Sequence, residues 1–196
     1  MITALLLFIA SFTAGKEVEV KLISLQEKAT EAKSYCEEKG LNTSYCILID
    51  FSIHSGKKRL FLYDFKGDSV ITQAMVSHGC GDKPWGMDNT KISPVFSNVH
   101  ESHCSSLGKY KIGKRGYSSW GINVNYKLHG LESSNSNAYD RIIVLHSWNA
   151  IPHNEVYPYG TPEGWGCPAV SNDFMTYLDE LLKKKDKDVL LWIYNE

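Results

Sequence analysis

The sequence predicts a mainly β (α+β) fold with one helix near the N-terminus and one near the C-terminus. Three observations predict it. From Tyr45 onward, short apolar runs recur between clusters of turn-forming residues. Helical spacing of apolar residues is confined to two stretches, one ending at Gly40 and one starting at Ser171. The 196 residues, 43% hydrophobic and 22% charged, suit one soluble globular core with a short N-terminal appendage.

The first fifteen residues, Met1 to Gly15, are apolar, too short to span a bilayer comfortably, and end in small residues at Thr13 and Gly15. They read as a secretory signal h-region, although no Lys or Arg precedes them. The expected division is therefore 1–15 signal peptide, 16–44 helical segment and 45–196 main domain. Ser24-Leu25-Gln26-Glu27 fits a capping box, with Leu25, Ala29, Ala32 and Cys36 on one face and Gly40 as terminator, giving a helix over Leu25 to Lys39.

Tyr45 to Phe51, Arg59 to Phe65 and Ser69 to His78 read as an antiparallel meander, with turns at Ser55-Gly56-Lys57-Lys58 and Lys66-Gly67-Asp68. Residues 79 to 108 are rich in Gly, Pro, Ser, Asn and His; Trp85, Phe96 and Leu107 can anchor them as an ordered loop. Lys109 to Ile112 and Ile122 to Leu128 read as further strands, and Arg141 to His146 as the central buried strand. Ser171 or Asn172 caps the last helix, which carries Phe174, Leu178, Leu181 and Leu182 and ends in Lys183-Lys184-Lys185, a charge that suits the helix dipole. Val189 to Tyr194 closes the fold as a strand.

A net charge of −1 offers no basic excess of the kind nucleic-acid binding needs. There are five cysteines: Cys36, Cys46, Cys80, Cys104 and Cys167. In an exported protein an odd count leaves one thiol free, and Cys167 is the expected one. The other four allow three pairings; Cys36–Cys46 and Cys80–Cys104 are favoured because each joins neighbouring segments, the alternative being buried reduced thiols. His78, Cys80 and His100-Glu101-Ser102-His103-Cys104 match no standard zinc spacing, so no metal site is expected.

The chemistry concentrates in Gly164-Trp165-Gly166-Cys167-Pro168 and His146-Ser147. A cysteine between glycine and proline cannot sit mid-helix, so its thiol is displayed on a bend with free N–H groups beside it. His146, ending an apolar run, can take the thiol proton. Ser147 can receive a hydrogen bond from His146 or fix its tautomer through its carbonyl. The N–H groups of Gly166, Cys167 and Trp165 can converge as an oxyanion hole. Tyr157, Tyr159 and Trp165 read either as a lid between His146 and Cys167 or as plain loop packing. The order His then Cys is not that of papain-like enzymes.

These motifs, with the Ile47 to Tyr63 hairpin, Phe96-Ser97-Asn98, Ser102-His103, Ser105-Ser106-Leu107-Gly108 and Gly130-Leu131-Glu132, resemble the L,D-transpeptidase catalytic domain of the YkuD type, its murein branch in particular. The resemblance covers roughly residues 45 to 194. It implies a YkuD-like β-sandwich or barrel and cysteine acyl transfer on peptidoglycan. Cys167 would attack the carbonyl after the L-centre of a diaminoacyl residue in a tetrapeptide stem. D-Ala would leave, and an amine of another stem would resolve the thioester to a cross-link. Water as acceptor would make the protein an L,D-carboxypeptidase, and loss of turnover would leave a non-catalytic wall-binding module. The expected partners are stem peptides as donor and acceptor, handled by a monomer in the periplasm or cell envelope, with no metal or organic cofactor. His103, Trp165, Arg141 and Tyr159 are the expected substrate-binding residues; for Arg141 a strand-end salt bridge is the competing reading. The family's Ser/Thr-His-Gly-Cys reads Gly164-Trp165-Gly166-Cys167 here, so its second histidine has no counterpart and the base role falls to His146 alone.

Overall fold

The computed structural model describes residues 25–196. The expected signal peptide and the start of the helical segment lie outside the described residues. Helix α1 occupies residues 25–39. The strands are β1 (Tyr45–Asp50), β2 (Leu60–Asp64), β3 (Ser69–Ala74), β4 (Gly108–Tyr117), β5 (Val124–Gly130), β6 (Val144–Ser147), β7 (Ala169–Val170) and β8 (Val189–Tyr194). A 3-10 turn covers Ser133–Asn135, and helix α2 covers Asn172–Leu182. Ser171 is the α2 cap: its Oγ accepts from the Phe174 N–H at 3.3 Å.

All eight strands form one sheet, in the order β3-β2-β1-β8-β4-β5-β6-β7. The expected meander is present: β1 pairs antiparallel with β2, and β2 with β3. The last strand, β8, inserts beside β1 in parallel and beside β4 antiparallel. It is therefore buried on both faces, which explains its unbroken apolar run. Val189, Leu191 and Ile193 join Ile47 and Ile49 of β1 under α2, where Phe174, Met175, Leu178 and Leu182 complete the main core. Leu190, Trp192 and Tyr194 face the other way with Cys46 and Leu48, and are covered by Leu25, Ala29, Ala32 and Cys36 of α1. The strand alternation thus assigns one helix to each face.

Two expectations are corrected. The run from Arg141 is not a central strand: Arg141 and Ile142 lie in a turn, β6 starts at Val144, and it sits next to the sheet end. The physical cause is Ile142, whose φ of 59° breaks the extended path. All five cysteines are free thiols, so neither Cys36–Cys46 nor Cys80–Cys104 is bridged. Cys36 and Cys46 pack as apolar side chains between α1 and the sheet, and burial pushes the Cys36 thiol up to about 12.

The sheet nearly closes on itself. Beyond β3 the chain continues to Ser77, whose N–H donates to the Ala169 carbonyl of β7 at 2.9 Å. Gly79 and Gly164 form a further parallel bridge. This closure brings the 75–80 segment against the Cys167 turn.

Candidate active site

β6 and β7 pair in parallel, with His146 opposite Ala169 and Ser147 opposite Val170. Cys167 lies two residues before Ala169. The His146 N–H donates to the Pro168 carbonyl at 3.4 Å, which extends the pairing back toward Cys167. Cys167 and His146 border the same cleft, together with Trp165.

The Cys167 turn is held from three sides. Ser77 Oγ donates to the Cys167 carbonyl at 3.3 Å and accepts from the Ala169 N–H at 3.1 Å. Ser105 Oγ donates to the Gly166 carbonyl at 3.1 Å and accepts from the Gly79 N–H at 3.1 Å. Gly164 exchanges backbone hydrogen bonds with His78 and Cys80, both at 2.8 Å. Among the described residues, the N–H groups of Trp165, Gly166 and Cys167 donate to no protein acceptor. They remain beside the thiol as unused donors.

Cys167 is half-buried. Its sulfur accepts from the Val144 N–H at 3.4 Å and its thiol donates to the Ile142 carbonyl at 3.7 Å. No hydrogen bond joins it to His146 among the described residues. Burial raises the thiol pKa above its ordinary value; the Val144 N–H and the Arg141 guanidinium pull it back. His146 is buried, and desolvation lowers its pKa. Its Nδ1 lies 2.9 Å from the Ser147 carbonyl oxygen. A carbonyl only accepts, so Nδ1 carries the proton and Nε2 presents its lone pair. The Ser147 hydroxyl does separate work, accepting from the Ile122 N–H at 3.0 Å.

The remaining expected residues divide. His103 stacks on Trp165, with centroids 5.1 Å apart, so the pair forms one flat surface at the cleft edge. Arg141 is tied to the long loop through the Ser97 carbonyl at 2.9 Å, the Cys104 carbonyl at 2.7 Å and Ser102 Oγ at 3.3 Å, and makes no salt bridge among the described residues. Tyr159 is exposed on a loop docked against Gly56 and does not border the cleft. Tyr157 packs edge-on against His54.

Sequence reasoning missed the polar cluster behind the turn. Arg59 is wholly buried and donates to the Val76 carbonyl and, at 2.7 Å, to His78 Nδ1. That leaves the His78 proton on Nε2, 2.8 Å from Thr90 Oγ1 and 3.6 Å from Glu163 Oε1. Burial lowers His78 to about 3 and Arg59 to about 9, and pushes the Glu163 carboxyl up. Glu163 immediately precedes Gly164, and its Oε1 also accepts from the Thr90 N–H. The available signal was a Ser-His pair ending an apolar run at Ser77-His78.

A cysteine turn with unused N–H groups and a buried histidine with an unprotonated Nε2 thus border one cleft. The model of the L,D-transpeptidase catalytic domain matches residues 16–194. The chain belongs to that family. The matched residues of this L,D-transpeptidase family member take in α1 as well as the sheet. No curated protein matches the chain. Among solved structures it is similar to the helical cell shape determining protein Pgp2 of Campylobacter jejuni, at 11% identity and a TM-score of 0.48, covering 78% of this chain and 48% of that one. It is also similar to an L,D-transpeptidase of Xylanimonas cellulosilytica, at 13% identity and a TM-score of 0.43, covering 82% and 68%. The L,D-transpeptidase domain here thus spans about half the length of Pgp2.

Proposed function

We propose that this domain is a cysteine acyltransferase of peptidoglycan stem peptides, with Cys167 as nucleophile and His146 as base. The observation that carries the reading is the cleft shared by His146 of β6 and Cys167, on the turn that leads into the paired β7. In the resting site both groups are neutral, in line with their opposite burial shifts. As a donor carbonyl approaches, the thiol proton passes to His146 Nε2 and sulfur adds to the carbonyl carbon. The Ser147 carbonyl holds Nδ1–H and stabilises the imidazolium that forms. The unused N–H groups of Trp165, Gly166 and Cys167 receive the developing oxyanion. Collapse expels D-Ala, which takes its proton from the imidazolium, and leaves a thioester. A stem amine then attacks the thioester carbonyl and regenerates the thiol. An exported protein is the location that fits this substrate, and the apolar first fifteen residues support it.

The test is incubation of purified protein with tetrapeptide stems, followed by mass spectrometry. Release of D-Ala with a cross-linked product is expected, and Cys167→Ala abolishes both. A bare tripeptide would reassign the acceptor to water. No D-Ala release and no adduct on Cys167 with a carbapenem would overturn the reading in favour of a binding module.

A further inference from the structure

Besides Trp165, three mutually packed indoles from three separate segments line the cleft beside Cys167. Trp85 comes from the long loop, Trp120 from the β4–β5 turn and Trp148 from the residue after β6. Trp85 and Trp148 stack, with centroids 5.0 Å apart and planes 24° apart. Trp120 meets Trp148 edge-on at 5.9 Å and Trp85 at 6.0 Å. Each position is fixed by backbone bonds. The Gly86 N–H donates to the Glu163 carbonyl at 2.9 Å, Trp148 N–H to the Val170 carbonyl at 3.0 Å, and Trp120 N–H to Ser118 Oγ at 3.1 Å. Even so, Trp85 is 46% exposed and Trp120 45%. Apart from His146, no ionisable nitrogen or carboxylate among the described residues borders this cleft.

Trp148 is half-buried against Met75, Ile151 and Ala169 and anchors the exposed Trp85 and Trp120, so the cleft keeps an apolar surface awaiting an occupant. Because the rings pack on one another, they present a wall and not a cage. Its occupant is fixed by its distance from the reacting sulfur. A chain advances at most about 3.3–3.6 Å per residue, so the sugar of a stem peptide lies roughly 10 Å from the attacked third-residue carbonyl. A wall bordering the same cleft as the sulfur is within reach of the side chain of the attacked residue and not of the sugar. A wall without carboxylates suits methylenes, and an indole face also accepts an ammonium at their end.

We propose that Trp85, Trp120 and Trp148 are specificity-determining residues that hold the methylene-and-ammonium side chain of the donor's attacked diamino residue. The assignment rests on the acyl-transfer reading above. Indole contact rewards a long flexible side chain and gives nothing to a methyl, so the wall selects donors by the length of that side chain.

The test uses two donor tetrapeptides that differ only at the third residue, lysine or alanine. Wild-type protein should release D-Ala from the lysine donor faster by more than about tenfold in kcat/KM. Trp85→Ala and Trp148→Ala should bring the ratio to within about threefold of one, and the Phe variants should keep part of it. An unchanged ratio in both alanine variants would overturn the proposal and assign the indoles to acceptor, sugar or turn packing. Indole fluorescence of Cys167→Ser protein, titrated with the same two peptides, decides the point without turnover. The lysine peptide should perturb emission and the alanine peptide should not; equal responses, or none, would overturn it. Absence of D-Ala release with a selective fluorescence response would sink the acyl-transfer reading alone.

Discussion

The Nδ1–H of His146 is held at 2.9 Å by the carbonyl oxygen of Ser147, its own neighbour in the chain. The bond runs to backbone, so it survives any substitution of the Ser147 hydroxyl, whose partner is the Ile122 N–H. His146→Gln removes the Nε2 lone pair and should lower D-Ala release by about 10²–10⁴-fold. Ser147→Ala should retain the tautomer, and its main effect should be a lower melting temperature from the orphaned Ile122 N–H, about 1–3 kcal/mol. A Ser147→Ala variant as inactive as His146→Gln would show that the hydroxyl, not the carbonyl, governs the imidazole.

Burial raises the Cys167 thiol and lowers the His146 imidazole, and both shifts favour uncharged forms. A preformed thiolate–imidazolium pair would alkylate at a constant rate from near-neutral pH upward. A neutral pair should instead show iodoacetamide reactivity that climbs through and beyond the ordinary thiol range near about 8.5. Arg141 favours the thiolate electrostatically. Arg141→Gln should therefore move the profile to higher pH, whereas Arg141→Lys should move it less. A plateau by pH 7 in the wild type would contradict the neutral resting state.

Gly166 adopts a φ of 98°, and a Cβ there would overlap the Cys104 carbonyl oxygen. That carbonyl is itself bound by Arg141 at 2.7 Å and cannot swing aside freely. Gly166→Ala should cost about 1–3 kcal/mol in chemical denaturation and slow the Cys167 reaction, because the strain falls on the turn that displays the thiol. Gly164 is the control: a Cβ there meets nothing within 4 Å. Gly164→Ala should stay within about 0.5 kcal/mol of wild type in stability.

The sequence disclosed those parts of the fold that local pattern encodes. Alternation and turn residues located β1, β2 and β3, and helical spacing with a Ser cap located α2. Pairing between distant strands has no local signal, so nothing in Val189 to Tyr194 announced a parallel partner in β1. β7 is two residues long and follows Pro168, too short for any periodicity. At the site, glycines around Cys167 and the apolar run before His146 were legible because they constrain the backbone directly. The support from Ser77, Ser105 and Glu163 was not, because a buried polar residue looks like a surface one until its partners are known. The two expected disulfides failed for a related reason. Spacing brings cysteines near one another, while Cys36 and Cys46 simply fill an apolar layer.

Ile142 combines three properties that seldom coincide: a β-branched side chain, a φ of 59° and 65% exposure. A β-branched residue in the left-handed region carries about 1–2 kcal/mol of strain, and so exposed a side chain returns little through packing. What the conformation achieves is placement of the Ile142 carbonyl, which accepts the Cys167 thiol at 3.7 Å. Asparagine tolerates the left-handed region, so Ile142→Asn should raise unfolding stability by about 1 kcal/mol, or roughly 2–4 °C in melting temperature. Ile142→Val keeps both branching and strain and should give no gain. Because the carbonyl belongs to the backbone, Ile142→Asn should leave the pH profile of Cys167 alkylation in place. A profile that moves, or an Asn variant that melts lower, would show that the isoleucine side chain is itself part of the cleft.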